Sequence, residues 1–157
     1  PPEVVADAAE RLRVPRFELD ASSLPLDAVA ARCIPPWEDG RERPWGPGPT
    51  WCNPPYSRAA GGLEPWARKA WREAKRGVPV ALLLPASVGA TWFRDLLEEG
   101  ATCVLYEGRI NFLPPPGMAS GGARHDSALF LFGKRLKPGI VRAPRPSGAR
   151  LRLAGKV

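Results

Sequence analysis

Trp51-Cys52-Asn53-Pro54-Pro55-Tyr56-Ser57 is the stretch that decides the reading. An apolar run, 49–52, breaks off there at an amide, two prolines and an aromatic ring. Each proline fixes its own φ, and a residue before proline is pushed out of the helical region. Asn53 and Pro54 both precede prolines, so the loop is stiff. Asn53 ends a strand, and open α/β sheets bind ligands at the carboxyl ends of their strands. Its amide offers an acceptor and donors. Asn53 Oδ1 and the Pro54 carbonyl can both accept from an NH2 group, and Tyr56 offers a flat face for a planar ring. Such a set suits the holding of a base's exocyclic amino group. Drawing density onto that nitrogen makes it a better nucleophile toward an electrophilic methyl. The competing reading is a proline-rich turn with a buried Asn cap.

Outward from this loop the chain alternates between helical and strand patterns. Residues 1–12 open with prolines and place Val4, Val5, Ala8, Ala9 and Leu12 on one helical face. Residues 17–20 form a short strand ending in the carboxylate of Asp20. Residues 26–33 are ambiguous between a helix and a shorter element, and 35–49 read as a loop containing Trp37, Asp39, Gly40 and Trp45. Beyond the motif, 58–62 reads as a flexible stretch. An amphipathic helix over 63–76 carries Trp66, Ala70 and Ala74 at i, i+4 and i+8 and stops at Gly77. Residues 78–84 are a continuous apolar strand, as in a sheet covered on both faces. A helix over 91–99 and strands over 102–106 and 127–132 follow, with 109–112 extending a strand or starting another. Residues 114–124 are rich in Gly and Pro and read as a loop; 139–143 and 149–153 flank a turn and form a weak hairpin. The alternation predicts an α/β sheet. Only 28 residues, 21–48, separate the first strand from the central one, which predicts a trimmed sheet.

The chain has 157 residues, enough for one domain with one sizeable core. Its net charge of +7 is unevenly placed. Residues 134–157 carry eight cations and no acid, which leaves 15 bases and 16 acids in residues 1–133. The charge predicts a division into a body, 1–133, and a basic tail or hairpin, 134–157. A basic tail on a near-neutral body reads as a polyanion contact, or as a solvated terminus without a partner. The sequence has no apolar run near membrane length and no signal-peptide pattern, so we expect no membrane. Three widely spaced cysteines, Cys33, Cys52 and Cys103, fit reduced thiols, and a single histidine argues against a metal site.

The ordered motifs resemble the compact phage-type DNA N6-adenine methyltransferases, which use S-adenosylmethionine and carry an Asn-Pro-Pro-Tyr motif. The resemblance rests on Pro1-Pro2-Glu3-Val4-Val5, Phe17-Glu18-Leu19-Asp20, Glu38-Asp39-Gly40 before Trp45, and the 51–56 motif. It continues through Trp66-Ala67-Arg68-Lys69-Ala70, Leu82-Leu83-Leu84-Pro85-Ala86, Thr91-Trp92-Phe93, Gly108-Arg109-Ile110-Asn111-Phe112 and Ser127-Ala128-Leu129, covering about residues 1–132. It implies a trimmed Rossmann-like class I methyltransferase sheet with an antiparallel last strand, acting in the cytoplasm of a bacterial or phage-infected cell.

The resemblance also implies roles. Asn53, Pro54, Pro55 and Tyr56 would be catalytic, the first two holding N6 and Tyr56 stacking on the flipped adenine. Pro2, Asp20, Ala21, Ser22, Asp39 and Asn53 would hold S-adenosylmethionine. A carboxylate at Asp20 can take a ribose hydroxyl pair or face the cofactor's cationic end. Ala21-Ser22-Ser23 stands where many methyltransferases have a Gly-x-Gly turn. Ser57, Arg58, Arg109, Asn111, Arg142, Arg145, Arg150 and Arg152 would meet double-stranded DNA, and Trp37 and Trp45 would line the cofactor or base pocket. Residue types leave other readings open. One is an amino-methyltransferase acting on cytosine N4, RNA or a protein glutamine, although the basic tail argues against a protein substrate. Another is a nucleic-acid-binding module of the same fold with weak or lost catalysis.

Overall fold

The computed structural model describes residues 1–112 and 125–146. Seven strands form one sheet in the order β2-β1-β3-β4-β6-β5-β7. In chain order they are β1 (Leu19–Asp20), β2 (Arg32–Cys33), β3 (Thr50–Cys52), β4 (Val80–Pro85), β5 (Thr102–Tyr106), β6 (Ser127–Phe132) and β7 (Gly139–Ala143). Three helices accompany them: α1 (Pro2–Leu12), α2 (Glu64–Lys75) and α3 (Thr91–Glu98). The architecture is the expected α/β one. The antiparallel strand is β6, inserted between β4 and β5 and antiparallel to both, while β7 follows as a further edge strand parallel to β5.

Alternation along the strands builds two cores, one on each face. Cys52, Leu82, Leu84, Cys103 and Phe130 face α2 and α3, packing with Trp66, Ala70, Phe93 and Leu96. Trp51, Ala81, Leu83, Val104 and Leu129 face the other way, toward Val4 and Ala8 of α1. All six residues of β4 and all six of β6 are buried, which explains why both are apolar throughout save Ser127 at the start of β6. The helix ends follow local chemistry. Proline opens α1 and α2 near the first helical position, where the missing N–H costs nothing. Gly77, just past α2, has φ 91°, a conformation that only glycine adopts freely.

Three parts of the sequence reading change. The ambiguous stretch 26–33 contributes only β2, two residues that extend the sheet beyond β1 through Leu19↔Arg32 and Asp20↔Cys33 pairing. The stretch 58–62 contains a 3-10 turn, Arg58–Ala60, and 109–112 contains no strand. The expected tail strand 139–143 is β7, which pairs with β5; its expected hairpin partner, 149–153, and the stretch 114–124, read as a loop, lie outside the described residues. All three cysteines are free thiols.

The chain leaves β1 toward β2 on one side, and from β3 it builds β4, β6, β5 and β7 on the other. The order therefore reverses between β1 and β3, adjacent parallel strands paired as Asp20↔Trp51. A switch point of this kind opens a crevice at the carboxyl ends of the strands.

Candidate active site

That crevice is a cleft of about 1020 Å³. Asp20 reaches it from the end of β1, and Asn53 follows β3 directly. The cleft brings together Asn53, Pro54, Pro55 and Tyr56 with Asp20, Ala21, Ser22 and Asp39. These eight residues are drawn from three separate stretches of sequence.

Asp20 is buried, and both carboxylate oxygens have partners. Ser22 N–H donates to Oδ1 at 3.3 Å and Val29 N–H to Oδ2 at 3.2 Å. Burial pushes its carboxyl above the ordinary value of 3.8, while the two N–H bonds and Ser23 pull it back. Asp20 therefore does two things: it presents charge to the cleft and pins the loop that follows it.

The opposite wall is set by Gly40. A Cβ there would lie 2.0 Å from the Ala21 carbonyl oxygen and 3.0 Å from the Trp66 ring. Only glycine permits this approach, which presses the loop of residues 35–41 against the end of β1. Trp45 holds the loop from beneath: its Nε1–H donates to the Gly40 carbonyl at 2.7 Å. Trp45 is fully buried in the core and does not line the cleft, contrary to the sequence expectation, because its indole is used as a strut. Trp37 is exposed and lies outside the lining as well.

Asp39, at φ 52°, does line the cleft, but Arg41 engages its carboxylate. The guanidinium contacts are 2.8, 3.1 and 2.6 Å and the Arg41 N–H adds a fourth at 3.0 Å. These bonds hold Asp39 below the usual carboxylate value. Arg41 in turn lies 5.7 Å from the centre of the Trp66 ring.

In the motif loop the Tyr56 hydroxyl donates to Asn53 Oδ1 at 2.8 Å, and the Leu83 carbonyl lies 3.4 Å away as a second acceptor. Burial pushes the Tyr56 phenol well above its ordinary value, so it stays protonated and acts as a donor. Phe112 meets the Tyr56 ring nearly edge-on, at 6.5 Å and 83°.

The remaining predicted residues are more dispersed. Pro2 is exposed in the first turn of α1, and its neighbour Pro1 lines the cleft instead. Ser57 and Arg58 are exposed just beyond the motif. Arg109 and Asn111 are exposed three and one residues before Phe112; Arg109 pairs with Asp126 at 3.4 Å, and Arg145 donates to the Arg109 carbonyl at 3.3 Å. Arg142 is exposed on β7, at the sheet edge opposite β2. Arg150 and Arg152 lie outside the described residues. Sequence reasoning missed Leu24, Asp27, Val29, Pro35, Pro36 and Arg41 as lining residues. Their only signal is nearness to Asp20 and Asp39 in sequence.

Among the described residues no cluster of His, Cys, Asp and Glu could hold a metal ion, and no helix is long and apolar enough to cross a membrane. The cleft thus lies at the switch point of an open α/β sheet, with a buried acid at the end of one strand and Asn-Pro-Pro-Tyr after the next. Residues 1–145 match the family model described as DNA N-6-adenine-methyltransferase (Dam), and the chain belongs to that family. It is similar to the DNA N-6-adenine-methyltransferase of Escherichia phage T1, with 26% identity over an alignment 158 positions long that covers 90% of this chain. The chain spans 63% of that relative's length. No solved structure matches it significantly.

Proposed function

We propose that the chain methylates N6 of adenine in DNA, taking the methyl group from S-adenosylmethionine and acting on a base turned out of the stack. The observation that carries this reading is the meeting of Asn53-Pro54-Pro55-Tyr56 with Asp20 in one cleft, in a chain of this family. A base inside a duplex cannot reach a donor lodged in such a cleft, so the target must leave the stack.

The cleft residues fit the donor's chemistry. Asp20 and Asp27 supply negative charge for a molecule with cationic groups, the charge of Asp39 being met by Arg41, and Ile34, Pro35 and Trp66 supply apolar surface for its adenosine part. Asp20, Ala21, Ser22 and Asp39 would hold it, with Pro1 in place of the expected Pro2. The small Ala21 and Ser22 replace a glycine-rich turn and keep the strand end open to a ligand. Once bound, S-adenosylmethionine supplies an electrophilic methyl group on sulfonium.

The chain's own residues then position the acceptor. Asn53 Oδ1 and the Pro54 carbonyl accept from the amino group, which leaves its lone pair directed at the methyl. Tyr56 and Phe112 offer ring surface to the base. No covalent intermediate is required, since positioning and fixed dipoles supply the catalysis. Ser57, Arg58, Arg109, Asn111, Arg142 and Arg145 would contact the DNA, with Arg150 and Arg152 extending the same charge. On this reading residues 1–133 carry the catalytic site and 134–157 add phosphate contacts.

The test is incubation with labelled S-adenosylmethionine and DNA free of methylated bases, followed by nucleoside analysis. N6-methyladenine is the expected product. N4-methylcytosine would move the acceptor to cytosine. No transfer, together with a melting temperature unmoved by the cofactor, would leave a nucleic-acid-binding module.

A further inference from the structure

Within Trp66-Ala67-Arg68-Lys69-Ala70 the ring of Trp66 lines the cleft and Lys69 does not. Lys69 belongs to an interior ion pair. Its Nζ donates to Glu73 Oε1 at 2.6 Å, one turn further along α2. The Glu73 side chain is 2% exposed and that of Lys69 12%. Arg76 reaches the same oxygen at 3.5 Å from an exposed position. The attraction within a buried pair is largely offset by the desolvation of both charges, so an apolar pair of similar volume is often as stable or more so. The presence of these charges in the interior calls for a reason other than stability.

The reason lies in what the ammonium meets next. Lys69 Nζ is 6.0 Å from the centre of the Trp45 ring, within reach of the negative face of the indole. Trp45 has no exposed surface. Its Nε1–H goes to the Gly40 carbonyl at 2.7 Å, and its own carbonyl accepts from Thr50 Oγ1 at 3.1 Å. Those bonds fix one ring edge and the backbone behind it, while Lys69 bears on the ring itself. Gly40 in turn presses on the Ala21 carbonyl and the Trp66 ring, and all three of these residues line the cleft. A run of contacts therefore leads from Glu73 through Lys69, Trp45 and Gly40 to the end of β1, where Asp20 stands. We propose that Lys69 is a positioning residue for the cofactor site: clamped by Glu73, its ammonium holds the Trp45 indole in the orientation that presses Gly40 against Ala21. The proposal rests on the function proposed above, which assigns S-adenosylmethionine to that cleft. A cation suits the task better than an apolar side chain. Apolar contact is non-directional, whereas an ammonium anchored by a carboxylate has a fixed place.

The test is Lys69→Met/Glu73→Met, two linear apolar side chains that fill the same space without charge. The melting temperature of this double variant is expected to stay near the parent's or to rise. Its affinity for S-adenosylmethionine, by calorimetry well below melting, is expected to fall roughly tenfold, the scale on which a side chain without ligand contact acts through a packed network. Glu73→Gln still offers an oxygen to the Lys69 ammonium and is expected to keep most of the parent's affinity. Unchanged affinity in the double variant would overturn the proposal. A double variant that melts much lower or does not fold would make the pair a plain stabiliser and reject it too, as would a Glu73→Gln as weak as the double variant. Should the parent chain bind no S-adenosylmethionine, the cofactor reading fails, and the indole N–H of Trp45 decides the positioning by itself. In assigned NMR spectra its exchange with deuterium should be at least about tenfold faster in the double variant than in the parent, with the amides of β4 and β6 exchanging alike in both. Equal exchange at Trp45 rejects the proposal.

Discussion

The Tyr56 hydroxyl donates to Asn53 Oδ1 at 2.8 Å, so the two polar side chains of the motif are tied to each other. The bond fixes which side of the amide carries oxygen and leaves a second lone pair on Oδ1 for an incoming amino group. Tyr56→Phe keeps the ring and removes the tie. We expect methyl transfer to slow about tenfold, from loss of amide alignment, and stability to fall by about 1 kcal/mol. Cofactor affinity should stay as it was. Single-turnover kinetics with calorimetry checks this; an unchanged rate would show that other groups align Asn53.

Asn53→Ala removes the amide itself. Transfer should fall by about 10²–10³-fold or more, the scale of losing one aligned polar group at a reacting centre. Cofactor affinity should stay within a few fold. In this background Tyr56→Phe should cost no further activity, because the amide that it aligns is gone. A variant that remained fully active would make Asn53 a structural residue.

Asp20 gives a pH signature. Its carboxyl titrates above 3.8 in the folded protein. As pH rises from 3.8 through the folded value, the unfolded chain has already released this proton and the folded one still holds it. The contribution of Asp20 to stability therefore falls with rising pH across that window. Asp20→Asn lacks this descent, so its melting temperature should gain on the parent's as pH rises there. Cofactor affinity should run the other way, weakening as acid neutralises the carboxylate at a pH above 3.8. Parallel melting curves for the two proteins across the window would reject the assignment.

Gly40→Ala would place a methyl 2.0 Å from the Ala21 carbonyl oxygen. Backbone must then move, and overpacking of this kind costs about 1–3 kcal/mol. Because the contact also sets the cleft wall, the folded variant should bind S-adenosylmethionine more weakly. A melting scan with and without the cofactor reads both effects.

The tail divides at the sheet edge. β7 pairs with β5 over five residues, and Ala143 is buried, so a cut after Phe132 removes a strand and should lower stability. A cut after Pro146 keeps the strand and removes Arg150, Arg152 and Lys156. It should leave the melting temperature near the parent's and flatten the slope of log affinity against log salt by about 0.9 for each phosphate that these cations neutralise. An unchanged slope would mean that the three residues touch no phosphate.

Most elements were legible because their residues answer to local rules. β5, β6 and β7 fall on the residues that the apolar pattern marks, α1 and α2 begin at their prolines, and α2 and α3 end two residues before Gly77 and Gly100. Asp20 and Asn53 were legible as strand ends, and the sheet order explains why the two lie side by side. What the sequence hid was set by long-range packing. Nothing in Arg32-Cys33 announces a strand, since the pairing is supplied by β1. Trp45 reads as a loop aromatic until Gly40 and the core beneath it are in place. Likewise Arg41 becomes a site residue only because the turn at Asp39 folds its guanidinium back onto the carboxylate.

The insertion of β6 between β4 and β5 also sets an order of events as the chain leaves the ribosome. β4 is complete at residue 85 and β5 at residue 106, but the strand that joins them ends only at residue 132. Until then β4 has one unpaired backbone edge and β5 has both edges open, because β7 comes later still. Val80-Ala81-Leu82-Leu83-Leu84 is the kind of segment that pairs with foreign strands when its edge is free. A product ended before residue 127 would keep these edges permanently open, and aggregation is its expected fate. Synthesis of β6 is thus the step that turns an adhesive intermediate into a protected sheet.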